Sequence, residues 1–154
     1  MVDFLVIGPY NAITYNEVFP LFKDGDVGFG WNRVSDFDNN NNSVKCRWFS
    51  NISDHYPPEL FLSKRYDDGY KKFDNYDAIN IDRIKDIPGD YMGLIGVPIT
   101  FLDSYNKRQF DIVGFLNNGC RLDENGLQGN NGIQMTLVSG VCKYFRILIK
   151  KKIS

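Results

Sequence analysis

The chain of 154 residues holds one histidine, His55, so no His-His metal spacing exists in it. A lone histidine beside Pro57 and Pro58 reads as a loop residue rather than a ligand. Cysteine is scarce as well: Cys46, Cys120 and Cys142 are an odd number, far apart and without Cys-x-x-Cys spacing. They read as free thiols in a reducing compartment. Long apolar runs are missing, and the first one, Phe4 to Ile7, is short and preceded by Asp3. Neither a signal peptide nor a membrane span is expected, and the expected location is cytoplasmic, with no membrane partner. An excess of positive charge is absent too, since the formal net charge is -1 and the pI about 5.8. Binding to nucleic acid would therefore need a local basic face.

What is present is ordinary for a folded protein: 43% hydrophobic and 24% charged residues. Such a chain is long enough for one domain, residues 1–154, with a real core. Phe4-Leu5-Val6-Ile7-Gly8 is a nearly continuous apolar run ended by Gly-Pro, the pattern of an interior parallel strand buried on both faces. Thr14 and Glu17 have capping-box spacing, and Val18, Phe19, Leu21 and Phe22 offer an apolar helical face before Lys23-Asp24-Gly25 ends it. Pro20 should kink or shorten that helix. A strand, a tight loop and a helix form the unit of doubly wound sheets, whose ligands bind at the carboxyl ends of strands. Asn11 and Tyr15, in and just beyond this loop, thereby become candidate substrate-binding residues, although an asparagine there also commonly serves the backbone.

Val27 to Trp31 alternates like a strand, and Asp36 to Ser43 is a polar loop with four consecutive asparagines. Gly28 and Gly30 lack the third glycine and the following helix of a dinucleotide fingerprint. Cys46 to Ile52 reads as an aromatic strand, hairpin-paired to the previous one, with Trp48 or Phe49 in the core rather than serving as a base-stacking platform. Leu60 to Lys72 is basic and rich in tyrosine; Lys64 and Arg65 are candidate DNA contacts in a patch that mixes cations with aromatics. A solvated face is the plainer reading of the same residues. From Asp74 to Leu102 turn clusters punctuate apolar runs: Ile79, Ile81 and Ile84 alternate with polar residues, and Asp86 to Asp90 is a turn. Pro98 marks an edge, bulge or strand end.

The segment KKFDNYDAINIDRIKDIPGDYMGLIGVPITFLDSYNKRQFDIVGF, Lys71 to Phe115, resembles the C-terminal region of EcoRI-type DNA adenine methyltransferases. FLVIGPYNAITYNEVFPLFKDGDVGFGW is similar to the family's strand-helix-strand segment after its catalytic motif, CRWFSNI to its aromatic strand, and KYFRILIKKK to its closing strand. The chain departs from the family in a shorter loop at Asn39 to Asn42 and across Leu116 to Val141. The resemblance implies an α/β fold: the C-terminal part of a Rossmann-like methyltransferase domain, a mixed sheet with hairpins. It also implies a methyl donor, S-adenosylmethionine, a double-stranded DNA partner and a role in restriction-modification.

In that family an Asn-Pro-Pro-Phe motif and the donor-binding strand lie upstream of the region matched here. Tyr56-Pro57-Pro58-Glu59 has its aromatic on the wrong side of the prolines and cannot present the same atoms to an extruded adenine. No residue is therefore carried over as catalytic, and the chain is expected to be inactive alone, complemented by an N-terminal methyltransferase polypeptide. By resemblance, Asn11 and Tyr15 would form a wall of the adenine pocket, and Lys64, Arg65, Arg83 and Lys85 would contact DNA. A DNA-binding or interaction module without enzymatic activity, and a decayed gene product, are the other readings.

Overall fold

Short strands, most of them antiparallel, build the larger part of the regular structure in the computed structural model, which describes residues 2–34, 45–52, 57–116, 121–123, 126–128 and 136–153. The chain divides into two compact units, Met1–Tyr56 and Pro57–Ser154. His55, Cys120 and the asparagine loop lie outside the described residues. No helix among the described residues is long and apolar enough to cross a membrane.

The first unit has three strands, β1 (Leu5–Pro9), β2 (Gly28–Val34) and β3 (Cys46–Ser50), in the order β1-β3-β2. Both pairings are antiparallel, so the expected hairpin of β2 and β3 forms. The expectation of an interior parallel strand fails at β1, which pairs antiparallel with β3, has no other partner among the described residues and leaves Leu5, Val6 and Ile7 exposed. An unbroken apolar run signals two apolar faces but does not say whether anything covers them.

A 3-10 turn, Tyr10–Thr14, leads to the single described α-helix, α1 (Phe19–Asp24). Thr14 makes no capping box: its hydroxyl donates to the Asn11 carbonyl at 2.8 Å, and the helix begins later, after Val18. Pro20 does not kink the helix because it sits in the first turn, where its missing N–H costs nothing. Gly25 ends it at φ 80, a left-handed conformation that favours glycine, with its N–H turned back to Leu21 and Phe22. Phe19 and Phe22, one turn apart, bury the inner face of α1, and Phe22, Phe29 and Phe49 pack with ring centroids 4.8–5.7 Å apart. Gly30 is required by the sheet: a Cβ there would lie 2.7 Å from Trp48 Cβ.

The second unit is built on a mixed sheet of β4 (Ala78–Asn80), β5 (Leu94–Pro98), β6 (Phe110–Leu116) and β11 (Arg146–Lys151), ordered β4-β5-β11-β6. Between β6 and β11 lie two small hairpins, β7 (Arg121–Asp123) with β8 (Gly126–Gln128), and β9 (Leu137–Val138) with β10 (Val141–Cys142). Only β4 and β5 run parallel. Register places Ile79, Ile95 and Ile149 in one row across the sheet, with Val97 beside Ile147, and all five are fully buried. Pro98 ends β5, where its lack of a donor is harmless.

On the opposite face Asn80, Gly96 and Leu148 form a second row, and the Phe73 ring lies against Gly96. The polar half of the alternation expected around Ile79 and Ile81 therefore breaks at Asn80, which is buried. A Cβ on Gly96 would meet Phe73 Cε2 at 2.4 Å, inside any tolerable contact. Gly96→Ala is expected to destabilise the unit by about 1–3 kcal/mol, the usual cost of overpacking, and Phe73→Leu should relieve part of it. Chemical denaturation of the single and double variants checks this; additive losses would sever the link between the two side chains.

The hairpin of β9 and β10 turns on Ser139 and Gly140, with φ 52 and 73, the twist-matched two-residue turn. Asp74 holds it from outside, accepting the Ser139 N–H at 2.8 Å and the Gly140 N–H at 2.6 Å. Cys46 is a free, half-buried thiol, whereas Cys142 is disulfide-bonded, which corrects the expectation of free thiols throughout. Count and spacing in a sequence do not say which thiols a fold brings within bonding reach.

Candidate nucleic-acid interface

Residues 57–65 have almost no regular structure, yet they are fastened to the sheet at several points. Asn106 Nδ2 donates to the Pro57 carbonyl at 2.7 Å, and the Gln109 side chain grips Leu60 both ways, accepting its N–H at 2.8 Å and donating to its carbonyl at 2.7 Å. Further along, Lys64 forms a parallel bridge with Pro88 and accepts the Gly89 N–H at 2.9 Å, and Tyr66 N–H donates to Asp90 Oδ1 at 2.7 Å. A Cβ on Gly89 would lie 2.9 Å from the Leu62 carbonyl oxygen, so glycine permits this approach. The hydrogen bond to the Pro57 carbonyl thus ties the start of this segment to the fold, as a stiffened loop would be.

This strap and the end of the sheet enclose a cleft of 470 Å³. Five cations line it, Lys64, Arg65, Arg108, Lys151 and Lys152, against two carboxylates, Glu59 and Asp90. Lys151 reaches it as the last residue of β11 and donates to the Gly89 carbonyl; Lys152 pairs with Asp111 at 2.9 Å. Lys64, Arg65 and Arg108 are exposed and in no ion pair among the described residues. Positive potential is therefore concentrated at one place on a chain of net charge -1, the local basic face that nucleic acid needs. Immediately after Arg65, Tyr66 stacks on Tyr70 and on Tyr91, with centroids 5.7 and 4.5 Å apart. Burial raises the pKa of Tyr70 and Tyr91, so both phenols stay neutral at physiological pH, and Tyr70 donates to the Asp86 carbonyl at 3.0 Å.

Of the residues singled out in the sequence, Lys64 and Arg65 share the cleft. Arg83 and Lys85 do not line it: Arg83 pairs with Asp86 at 2.7 Å, and Lys85 is exposed on the 3-10 turn Ile84–Asp86. Asn11 and Tyr15 belong to the first unit, both exposed, one in the Tyr10–Thr14 turn and the other capping it. Arg108, Lys151 and Lys152 escaped the sequence reading. The triple-lysine run from Lys150 to Lys152 was the available signal, but it merged into a closing strand.

A second concentration of charge is structural. Arg146, 7% exposed, donates through Nε to Asn80 Oδ1 at 3.1 Å and through a terminal nitrogen to Asp82 Oδ1 at 2.7 Å. Its other terminal nitrogen serves the Tyr144 and Phe145 carbonyls. Asn80 also donates to Asp82, and Lys143 approaches it at 3.4 Å. Partial burial would raise the Asp82 pKa, but the hydrogen bonds from Asn80 and Arg146 and the charges of Lys143 and Arg146 outweigh it, and the net shift is downward.

At Gly30 the Trp48 side chain fills the space beside the backbone, and β2 continues as a strand as far as Val34. Among the described residues no cluster of histidine, cysteine or acidic side chains fits a metal ion.

Residues 32–152 match the profile of the family described as adenine-specific methyltransferase EcoRI. Over 97% of its length the chain is 37% identical to the Type II methyltransferase M.EcoRI of Escherichia coli, covering 50% of that protein. Type II methyltransferases of Mycoplasma genitalium and Mycoplasma pneumoniae are 35% and 31% identical, again over 97% of the chain and 57% of each relative. The chain spans about half the length of the curated relatives it matches. No solved structure matches it significantly.

Proposed function

We propose, from the premise that this chain belongs to the family of the EcoRI adenine-specific methyltransferase, that it is the C-terminal, DNA-facing portion of a site-specific DNA adenine methyltransferase of a restriction-modification system. The observation that carries the reading is the cleft, where five cations converge from three separate segments. Phosphate contacts from such groups fix the register of a duplex without reading its sequence. Arg83 and Lys85 extend the contact to further phosphates, and Asn11 and Tyr15 form part of the adenine pocket. Both units belong to one Rossmann-like domain whose donor-binding part lies in another segment or polypeptide, and the protein works in the cytoplasm.

An adenine amine is a weak nucleophile, so methyl transfer requires donor and base to be held in line. S-adenosylmethionine, when bound, supplies the methyl group. In this reading the residues of this chain hold the DNA in place, and the upstream half supplies the donor site. The test is methyl transfer to duplex DNA by the chain alone and after mixing with the upstream half of a relative, together with calorimetric titration of the donor. No transfer alone, transfer on mixing and no donor binding by the chain are expected. Tight donor binding by the chain alone would overturn the division of labour. Duplex binding without restored transfer would favour a DNA-binding module.

A further inference from the structure

Phe61 is 93% exposed, the highest value among the large apolar side chains of the described residues. Single exposed apolar residues are common on protein surfaces, and exposure alone says little. Two further observations separate Phe61 from that background. Its backbone is held on both sides, by the Gln109 amide at Leu60 and by the bridge of Lys64 to Pro88, so the ring stands out from a fixed strap rather than from a loose loop. It also lines the cationic cleft, a few residues from Lys64 and Arg65 on the same strap. A flat apolar ring among cations able to grip phosphates is the pairing that proteins use to contact nucleobase faces while holding the backbone.

We infer that Phe61 enters the base stack of duplex DNA held in the cleft, lying against a base face while Lys64, Arg65 and Arg108 hold the phosphates. This rests on the reading of the cleft as a DNA interface. The ring leaves water for an apolar surface on binding, at no cost in ordering the strap, which is already fastened. Because stacking releases no counterions, the contribution of Phe61 is independent of salt, unlike that of the cations.

The experiment is binding of the whole chain to a duplex with 2-aminopurine at successive positions, followed by anisotropy and by 2-aminopurine emission over a range of salt. Phe61→Ala is expected to weaken binding by about 5- to 150-fold with the salt slope unchanged, and to abolish the rise in 2-aminopurine emission seen with the unmodified chain. Phe61→Trp should retain both affinity and emission change, and Phe61→Leu, apolar but without a ring, should fall between. Phe61 is 93% exposed, so the thermal melts of the variants should coincide. Equal affinity and emission for Phe61→Ala and the unmodified chain would overturn the inference while leaving the DNA interface standing. No duplex binding by any form would overturn both.

Discussion

Duplex DNA affinity is expected to fall by about two to three orders of magnitude near ~0.1 M salt when Lys64, Arg65 and Arg108 are replaced together by glutamine, if the cleft is the proposed DNA interface. The size follows from counterion release: each phosphate contact contributes about 0.9 to the slope of log K against log salt, and therefore roughly a factor of eight at that concentration. Three lost contacts should make the slope shallower by about 2.7. The loss should be nearly uniform across DNA sequences, as expected on the proposed reading in which these groups contact phosphates. All three side chains are exposed, so the melting temperature should hold. Lys23→Gln, on the exposed side of α1, serves as the charge control and should leave the slope unchanged. A triple variant that keeps the slope of the unmodified chain would remove the cleft as the DNA interface.

Arg146→Met is the substitution with the largest expected effect on stability. The methionine fills much of the space but leaves Asn80 Oδ1 without its guanidinium donor inside the protein and strips Asp82 of its closest cation. Removing one partner of a buried pair costs about 3–5 kcal/mol, and the low end applies here because the Asp82 side chain is 57% exposed and partly screened. About 3 kcal/mol corresponds to a fall of roughly 10–20 °C in the melting of a unit of this size. Replacing Asn80 by Leu and Asp82 by Asn in the same chain should recover part of the loss, since the side chains left unpaired are then removed and only the Tyr144 and Phe145 carbonyls still lack the guanidinium. A melting point unmoved by Arg146→Met would show that the network carries no stability.

The same network sets a pH dependence whose sign is fixed. The Asp82 pKa is lower in the folded than in the unfolded chain, so the carboxylate contributes fully above its unfolded value of about 4. That contribution disappears as the pH falls through the lower folded value. Comparing Asp82→Asn with the unmodified chain by denaturation should give a stability difference that is constant near neutrality and shrinks in acid.

Local chemistry was legible where it acts over a few residues. Gly25 as a helix stop, Pro98 as a strand end, the turn at Pro88-Gly89 and the hairpin of β2 and β3 follow from backbone preferences that need no distant partner. Thr14 and Glu17 had the right spacing for a cap, but the 3-10 turn used the Thr14 hydroxyl first. Burial of Asn80 was invisible because its partner Arg146 lies 66 positions away. The cleft was half legible: Lys64 and Arg65 stood out as neighbours, while Arg108 and the end of β11 joined them only through the pairing of β6 with β11.

That pairing also bears on the order in which the second unit assembles. Of the four sheet strands β11 comes last in sequence, yet it lies between β5 and β6, which do not touch each other through hydrogen bonds. Until β11 is in place, β6 has no partner in the sheet and the apolar row of Ile79 and Ile95 lacks Ile149. During synthesis the sheet therefore cannot zip up progressively from its first strand. It closes in one late, long-range step, which favours slow folding and leaves strand edges open to aggregation until the final strand inserts.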